Sequence, residues 1–268
     1  MPIVNPLNRH TAPGRLIAAV LLTTIVEILF AGESLHQIFA DRAGAEFHRA
    51  QTAFQSNPND PTAAWQFARA CFDYADFATN DTGRAIVANQ GIAACRQLLA
   101  RETNSVPGHY YLAMNLGQLA RAEAPSIAAY KLIRDIEREF KTAAELDIGF
   151  NHAGAVRSLG LLYRDAPGWP VSIGSRRKAR EGLEQAVKLA PDYPENHLSL
   201  IESQLQWNDR SGAETGLKTL DALWPSARIN FTGQGWEPSW DEWSTRREAA
   251  RKKLEGPAGS GKPSKPSH

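Results

Sequence analysis

The side chains best suited to binding chemistry in this sequence are three arginines. Arg121, Arg157 and Arg164 each carry a guanidinium group, which binds a carboxylate through two parallel hydrogen bonds. The apolar side chains expected beside them are Tyr111, Met114 and Leu161. This combination predicts a site for an anionic or amphipathic ligand. The alternative is that the arginines only keep the surface solvated.

Motifs for catalysis and for metal binding are missing from the sequence. It contains no Gly-rich phosphate loop, no H-E-x-x-H and no G-x-S-x-G, so we expect a non-enzymatic protein without a cofactor. His109, His152 and His197 recur at the start of three successive predicted helices. Packed helices lie roughly 8–10 Å apart, whereas nitrogens that share a zinc ion must lie within about 3.5 Å of each other. We therefore predict no metal site.

Composition and charge exclude several other classes of protein. Hydrophobic residues make up 43% of the 268 residues, which is enough for a sizeable core, and the net charge of +1 indicates no nucleic-acid surface. Cys71 and Cys95 are the two cysteines, and they lack the spacing of a structural zinc site. They fall on successive helices of one predicted hairpin. Two separate buried thiols are the preferred interpretation, and a disulfide is conceivable if the protein is exported.

The elements that must position these residues are pairs of helices. Leu159, Gly160 and Tyr163 have the L-G-x-x-Y spacing that is typical of a tetratricopeptide repeat (TPR). The residues that complete this signature are Ala179, Leu183, Ala186 and Pro191. Glycine and alanine at the contact line between two antiparallel helices, here called the seam, allow the helices to approach closely. The sequence therefore predicts an all-α fold, a right-handed superhelical α-solenoid of TPR-like antiparallel helix hairpins.

Four hairpins fit this pattern, with a period of about 43–45 residues instead of the usual 34. Pro225 is expected to close the fourth hairpin. The additional residues lie between the two helices of a hairpin, at 122–126 and at 165–175, and the second of these loops carries Trp169 as a candidate contact residue. Residues 34–55 are expected to form a helix that covers the first hairpin. Residues 241–254 are expected to form a capping helix on the last one.

The first helix of each hairpin lines the concave groove in this class of repeat. The second and third hairpins place the three arginines and their apolar neighbours on that inner wall. Asn115 occupies a position where some peptide-binding relatives carry an asparagine that clamps a carboxylate, although the companion lysines are missing. The predicted partner-binding residues of the groove are Tyr111, Met114, Asn115, Gln118, Arg121, Arg157, Leu161 and Arg164.

Residues 1–33 have the features of a signal peptide or of a membrane anchor. Arg9 and Arg15 precede an apolar run at 16–32, and Glu33 follows it. The run has 17 residues and contains Glu27, whereas a membrane span usually needs about 20 apolar residues. A cleaved signal, an uncleaved anchor and a plain buried helix all stay open. We expect a repeat domain at 34–254, a disordered tail at 255–268, and a periplasmic or otherwise extracytoplasmic location.

The segment from His109 to Asn208, about 100 residues, resembles two groups of repeat proteins. Its landmarks are N-L-G at 115–117, A-A-E-L-D at 143–147 and the long Gly/Pro loop at 165–175. These features are similar to the T component of tripartite ATP-independent periplasmic (TRAP) transporters. That resemblance implies a periplasmic repeat protein that oligomerises, associates with a solute-binding partner and can carry hydrophobic ligands. The segment also resembles the regulators of microtubule dynamics, which would imply an intracellular scaffold.

These observations lead to one main functional hypothesis and two alternatives. The main hypothesis is a non-enzymatic scaffold that binds a protein or peptide in its concave groove, is exported or anchored, and serves as an accessory to a solute transport system. The first alternative is a carrier of a small hydrophobic or anionic ligand. The second is an intracellular scaffold. A homo-oligomer is compatible with each of them.

Overall fold

The computed structural model describes residues 14–256, with side chains described from residue 35 onward. The predicted targeting segment at 1–33 and the predicted tail at 255–268 therefore lie partly outside the described residues. Within the described range, the chain forms ten α-helices and one 3₁₀ turn, Gln234–Trp236. The helices are α1 Gly14–Ser56, α2 Pro61–Ala75, α3 Asp81–Leu99, α4 Val106–Glu123, α5 Ile127–Leu146, α6 Phe150–Asp165, α7 Arg176–Leu189, α8 Pro194–Gln206, α9 Arg210–Asn230 and α10 Glu237–Glu255.

None of these helices, within residues 14–256, combines the length and the apolar character that crossing a bilayer requires.

The starts of the helices follow from local sequence. A short polar residue precedes most of them, and its side chain accepts a hydrogen bond from a backbone N–H that would otherwise lack a partner. Asp60 caps α2 in this way, Ser105 caps α4 and Ser175 caps α7. A proline occupies the first turn of α2, α4 and α8, where its missing N–H is not needed. The four predicted hairpins are therefore α2–α3, α4–α5, α6–α7 and α8–α9.

The seam of the third hairpin has the geometry that the repeat signature predicts. A Cβ atom placed on Gly160 would lie 2.8 Å from Leu183 Cγ and 3.1 Å from the Leu183 backbone nitrogen, so only glycine fits there. Ala179, Leu183 and Ala186 are fully buried at this contact. The close approach of α6 and α7 is thus a direct consequence of these small residues.

The prediction that Pro225 closes the fourth hairpin is wrong. Pro225 lies inside α9, which continues to Asn230. The residues after the proline hold the helix in place, because Ala227 and Phe231 are buried in the core beneath α10. Burial of these side chains outweighs the local loss of one helix hydrogen bond.

The core is divided into two main hydrophobic clusters. The first cluster contains residues of the six helices from α1 through α6 and is centred on Phe67, Tyr110 and Phe140. It includes Phe47, through which α1 covers the first hairpin. The second joins α8, α9 and α10, and Trp240 and Trp243 are its largest members. Helix α8 contributes Leu198 and Ile201 to the second cluster and also buries several polar residues. These are Asn196, His197, Ser199, Ser203 and Gln204.

Cys71 and Cys95 are separate thiols, both completely buried in the first cluster. Burial raises the pKa of the Cys71 thiol to about 12 and raises that of Cys95 further. Neither thiol is therefore ionised at neutral pH, and neither has the exposure of a reactive cysteine. The structure thus favours the first of the two interpretations left open by the sequence.

Candidate partner-binding groove

One wall of the groove is formed by α2 and α4. The indole of Trp65 on α2 stacks on the ring of Tyr111 on α4, with centroids 6.0 Å apart and planes inclined by 8°. Met114 is partly buried one turn further along α4. Tyr111 itself is buried, so its ring mainly joins the two helices, and the accessible apolar surface comes from Trp65 and Met114.

Asp73 lies on the exposed face of α2. Its side chain is 48% exposed, yet desolvation raises its pKa to about 6, an effect that Arg69 opposes and Asp76 reinforces. The Asp73 carboxyl is therefore harder to ionise than that of a free aspartate.

Asp76, one turn from Asp73, connects α2 to α4. Gln118 donates from Nε2 to Asp76 Oδ1 at 2.8 Å, and Arg121 donates to the same oxygen from Nη1 at 3.3 Å. The predicted groove residue Arg121 is thus partly neutralised within the chain. Its side chain is still 62% exposed, which makes it the most accessible of the three predicted arginines.

Helix α10 packs on α8, and charged side chains join the two helices. Arg246 on α10 contacts three carboxylates, Glu195 at 2.7 Å, Glu202 at 2.8 Å and Glu242 at 2.9 Å. Desolvation raises the pKa of Glu242, and the negative charges of Glu195 and Asp76 raise it further.

Arg157 has a structural role in place of the predicted ligand contact. It is buried, and its Nη1 donates to Asn196 Oδ1 at 2.8 Å. Asn196 in turn donates to the carbonyl of His152 at 3.2 Å. Asn151, His152 and Ala153 all adopt left-handed backbone angles, with φ of 50°, 56° and 60°. Arg157 and Asn196 therefore hold a strained turn at the start of α6, which requires tertiary support.

The remaining predicted residues of the groove lie in different environments. Asn115 is fully buried and donates to the carbonyls of Ala68 and Tyr111 at 2.8 Å each, so it joins α2 to α4. Arg164 forms a two-point contact with Asp165 and donates to Ser203 Oγ at 3.1 Å. Leu161 is partly buried. Trp169 is almost fully exposed on the loop between α6 and α7, which an isolated β-bridge between Gly168 and Gly174 closes.

The three recurring histidines make different contacts. His109 Nδ1 lies 2.6 Å from Glu139 Oε2, and His197 Nε2 donates to the carbonyl of Pro191 at 2.7 Å. His152 stacks on Tyr193 with ring centroids 4.3 Å apart. In the described part of the chain, no group of three or more potential ligands is arranged to hold a metal ion.

The structure brings together a set of charged residues that sequence reasoning did not single out. Asp76, Glu195 and Glu242 are not among the predicted partner-binding residues. No local pattern marks Glu242, because α10 is expected only to cap the last hairpin. The signal that was available is the amphipathic character of α10, whose polar face carries both Glu242 and Arg246.

The fold defined by these helices is a TPR-like α-solenoid, which confirms the predicted fold class. It is similar to the crystal structure of TTC0263, a thermophilic TPR protein of Thermus thermophilus, with a TM-score of 0.59 and 20% sequence identity over 84% of this chain and 97% of that one. The crystal structure of MamA is a more distant likeness, with a TM-score of 0.47 and 16% identity over 67% of this chain and 87% of that one. No protein-family model and no curated protein sequence matches the chain.

Substituting Asp73 with asparagine tests whether desolvation raises the pKa of the Asp73 carboxyl. The pKa of Asp73 is raised to about 6 in the folded chain from an unperturbed value of about 3.9. The folded state therefore binds the carboxyl proton more tightly than the unfolded state does. Stability therefore falls as the pH rises between these two values. We expect Asp73→Asn to raise the melting temperature at pH 7 and to leave it unchanged at pH 3.5. Thermal denaturation at both pH values measures this, and an equal shift at both would contradict the assignment.

Proposed function

We propose that the chain is a non-enzymatic scaffold that binds a segment of a protein partner in the concave groove lined by α2 and α4. A TPR-like solenoid suits this role because its inner helices offer a long concave surface that the fold itself does not bury. The predicted export, the TRAP-like accessory role and the extracytoplasmic location stay predictions, supported by the sequence features of residues 9–33 and 109–208 alone.

The observation that carries the proposal is the accessible surface on the first helices of the first two hairpins. It consists of the exposed side chains of Gln66, Asp73 and Arg121 and the partly exposed ring of Trp65. Such a mixed aromatic and polar surface in a concavity is what a protein-binding groove presents.

The groove can be tested by truncating two accessible side chains on its wall. Phage display of random 12-residue peptides on the purified protein provides ligands, and fluorescence anisotropy measures their affinity. We expect the double variant Gln66→Ala/Arg121→Ala to weaken binding of an enriched peptide at least about tenfold, or about 1.4 kcal/mol. The helical circular dichroism should be unchanged, because both side chains are exposed.

A matched control removes two exposed side chains from the second helices of their hairpins. Lys141→Ala/Arg177→Ala deletes the partners of Glu137 and Glu181 on α5 and α7, away from the groove. This variant should bind the peptide like the unaltered protein. Equal affinity for the peptide in all three proteins would reject the groove as the binding site.

A second candidate function, a carrier of a small ligand, is favoured by a cleft between α1 and α10. The cleft has a volume of about 570 Å³, within the usual range of small-molecule sites. Its apolar lining consists of Leu35, Ile38, Phe39, Phe231 and Trp240. If this function holds, native mass spectrometry of protein purified without detergent should show a bound amphipathic molecule that Phe39→Ala removes. A spectrum of the free chain alone would contradict it.

A further inference from the structure

We infer that one edge of the solenoid docks on an anionic lipid surface, where Trp169, Val171 and Ile127 enter the lipid and nearby lysine and arginine side chains meet the head groups. This is the edge at which α4 turns into α5 and α6 turns into α7. It does not include the groove residues on α2 and α4 that the proposed function uses. The inference therefore goes beyond that function and is tested separately from it.

The first argument is the loop between α6 and α7, which exposes apolar side chains although hydrogen bonding closes its backbone. Trp169 is 88% exposed and Val171 is 68% exposed. Gly174 donates its N–H to the carbonyl of Pro167 at 2.9 Å. A Cβ atom on Gly174 would overlap the carbonyl oxygen of Ala166, so the loop is tightly closed at its base. The closed loop holds the indole away from the hairpin, and a contact outside the chain is needed to bury it.

The second argument is a stripe of exposed side chains at the start of α5. It consists of Ile127, Tyr130, Lys131 and Arg134. Their spacing along the helix places them on one face. Ile127 is 77% exposed and Tyr130 is 44% exposed. In the described part of the chain, the ion pairs of α5 involve neither Lys131 nor Arg134. The stripe thus changes from apolar to cationic toward the middle of α5.

Contacts among α5, α6 and α7 place the loop and the stripe at the same edge. The hydroxyl of Tyr163 on α6 donates to Glu137 Oε1 on α5 at 2.7 Å. The carbonyl of Tyr163 accepts a hydrogen bond from the N–H of Ser175, which precedes α7, at 2.8 Å. Helix α6 ends at Asp165, whereas Ile127 lies about 15 Å from Glu137 along the axis of α5. Since a short turn makes α5 and α6 antiparallel, the start of α5 extends past the end of α6, on the side where the loop leaves.

The third argument is the charge of this edge. Its carboxylates are largely paired within the chain, Asp135 with Arg138, Glu137 with Lys141, Asp165 with Arg164 and Glu181 with Arg177. The charged side chains of the edge that form no ion pair within residues 35–256 are Glu123, Lys131, Arg134, Arg176 and Lys178. All of these except Glu123 are cations, and those at the start of α7 oppose the helix dipole, so the stability of that helix does not explain them. The edge therefore attracts an anionic surface.

The composition of the edge favours a lipid surface over an acidic protein. Tryptophan and tyrosine are enriched at the interface between membrane and water, because each has an apolar body and a polar tip. On α5 the cations lie behind the apolar residues, where the phosphates of the head groups would meet them. The exposed indole lies on a loop, so it can enter lipid without a preformed pocket.

Flotation of the full chain with lipid vesicles tests the inference. We expect it to bind phosphatidylcholine vesicles that contain roughly 30% phosphatidylserine, and to bind pure phosphatidylcholine at least about tenfold more weakly. Ile127→Ser/Trp169→Ser removes apolar side chains of the edge, and Lys131→Gln/Arg134→Gln removes two of its cations. Each double variant should weaken binding to the anionic vesicles at least about tenfold. The helical circular dichroism should be unchanged, because all four side chains are exposed.

A matched control lies at the opposite ends of the same two helices. Ile148 follows α5 and Leu189 ends α7, and each is 41% exposed. Ile148→Ser/Leu189→Ser should bind the anionic vesicles like the unaltered protein.

Fluorescence quenching gives a second measurement that does not depend on a loss of binding. Trp169 is the one exposed tryptophan in the described part of the chain, and the others are buried or partly buried. Phosphatidylcholine with brominated acyl chains quenches an indole that enters the lipid. Anionic vesicles that contain it should quench the unaltered protein but not Trp169→Phe, which keeps an apolar ring and should still float.

Several outcomes would overturn the inference. Equal binding to both kinds of vesicle is one of them, and the absence of binding is another. Binding that neither double variant weakens would assign the lipid contact to another part of the chain, such as residues 16–32. Binding to soluble polyglutamate in place of vesicles would indicate an acidic protein partner instead. None of these outcomes bears on the groove, which the peptide experiments test.

Discussion

Replacing Asn196 with alanine is expected to lower the free energy of unfolding by about 3 kcal/mol. Asn196 is completely buried, and its amide nitrogen donates to the carbonyls of His152, Ala186 and Ala190 at 3.2, 3.0 and 3.1 Å. Its oxygen accepts from the buried guanidinium of Arg157 at 2.8 Å. The substitution therefore leaves a buried charge without its partner and removes support from the left-handed turn at 151–153. Urea denaturation followed by circular dichroism measures the loss.

Two controls separate this network from a general effect of removing an asparagine. Asn89→Ala deletes an exposed side chain on α3 and should change stability by less than about 0.5 kcal/mol. Asn196→Ala combined with Arg157→Met should recover part of the loss, since the unpaired charge is then absent. A loss of less than about 1 kcal/mol for Asn196→Ala would show that the polar face of α8 does not hold the third and fourth hairpins together.

The second large effect is expected at the seam of the third hairpin. Gly160→Ala should destabilise the chain by about 2 kcal/mol, because its Cβ would lie 2.8 Å from Leu183 Cγ and 3.1 Å from the Leu183 backbone nitrogen. Backbone atoms cannot move aside as a side chain can, so α6 and α7 would have to separate. The resulting gap would weaken the burial of Leu183 and Ala186.

Gly117→Ala provides the matched control, since both glycines lie inside first helices of their hairpins. A Cβ atom on Gly117 would meet nothing within 4 Å, and alanine is favoured over glycine in a helix by about 1 kcal/mol. This variant should therefore be slightly more stable than the unaltered protein. Opposite signs for the two variants in thermal denaturation would support the close helix contact, whereas equal signs would contradict it.

The fold was predictable because its determinants are local and periodic. Gly160, Leu183 and Ala186 are placed by helix spacing at one seam, and the prediction requires no knowledge of distant parts of the chain. The same reasoning failed at Pro225, where a local rule for ending helices competes with burial of Ala227 and Phe231. That burial depends on α10, which only the complete fold brings into contact.

The candidate site was predicted less well, because a position on the inner helix does not determine what a side chain contacts. Arg157 and Arg121 both lie on first helices of their hairpins, yet one is buried against Asn196 and the other is exposed beside Asp76. The partners that make this difference come from 39 and 45 positions away in the sequence. Spacing within one helix contains no information about such contacts.

The sequence by itself determined the all-α class and the four hairpins, since short-range periodicity and helix caps dictate both. Only the tertiary structure decided which charged side chains meet. The reason is geometric: the docking of α10 on α8 brings Arg246 to within 2.8 Å of Glu195 and Glu202, which lie 51 and 44 positions away in the sequence. Electrostatic interactions depend on that distance in space.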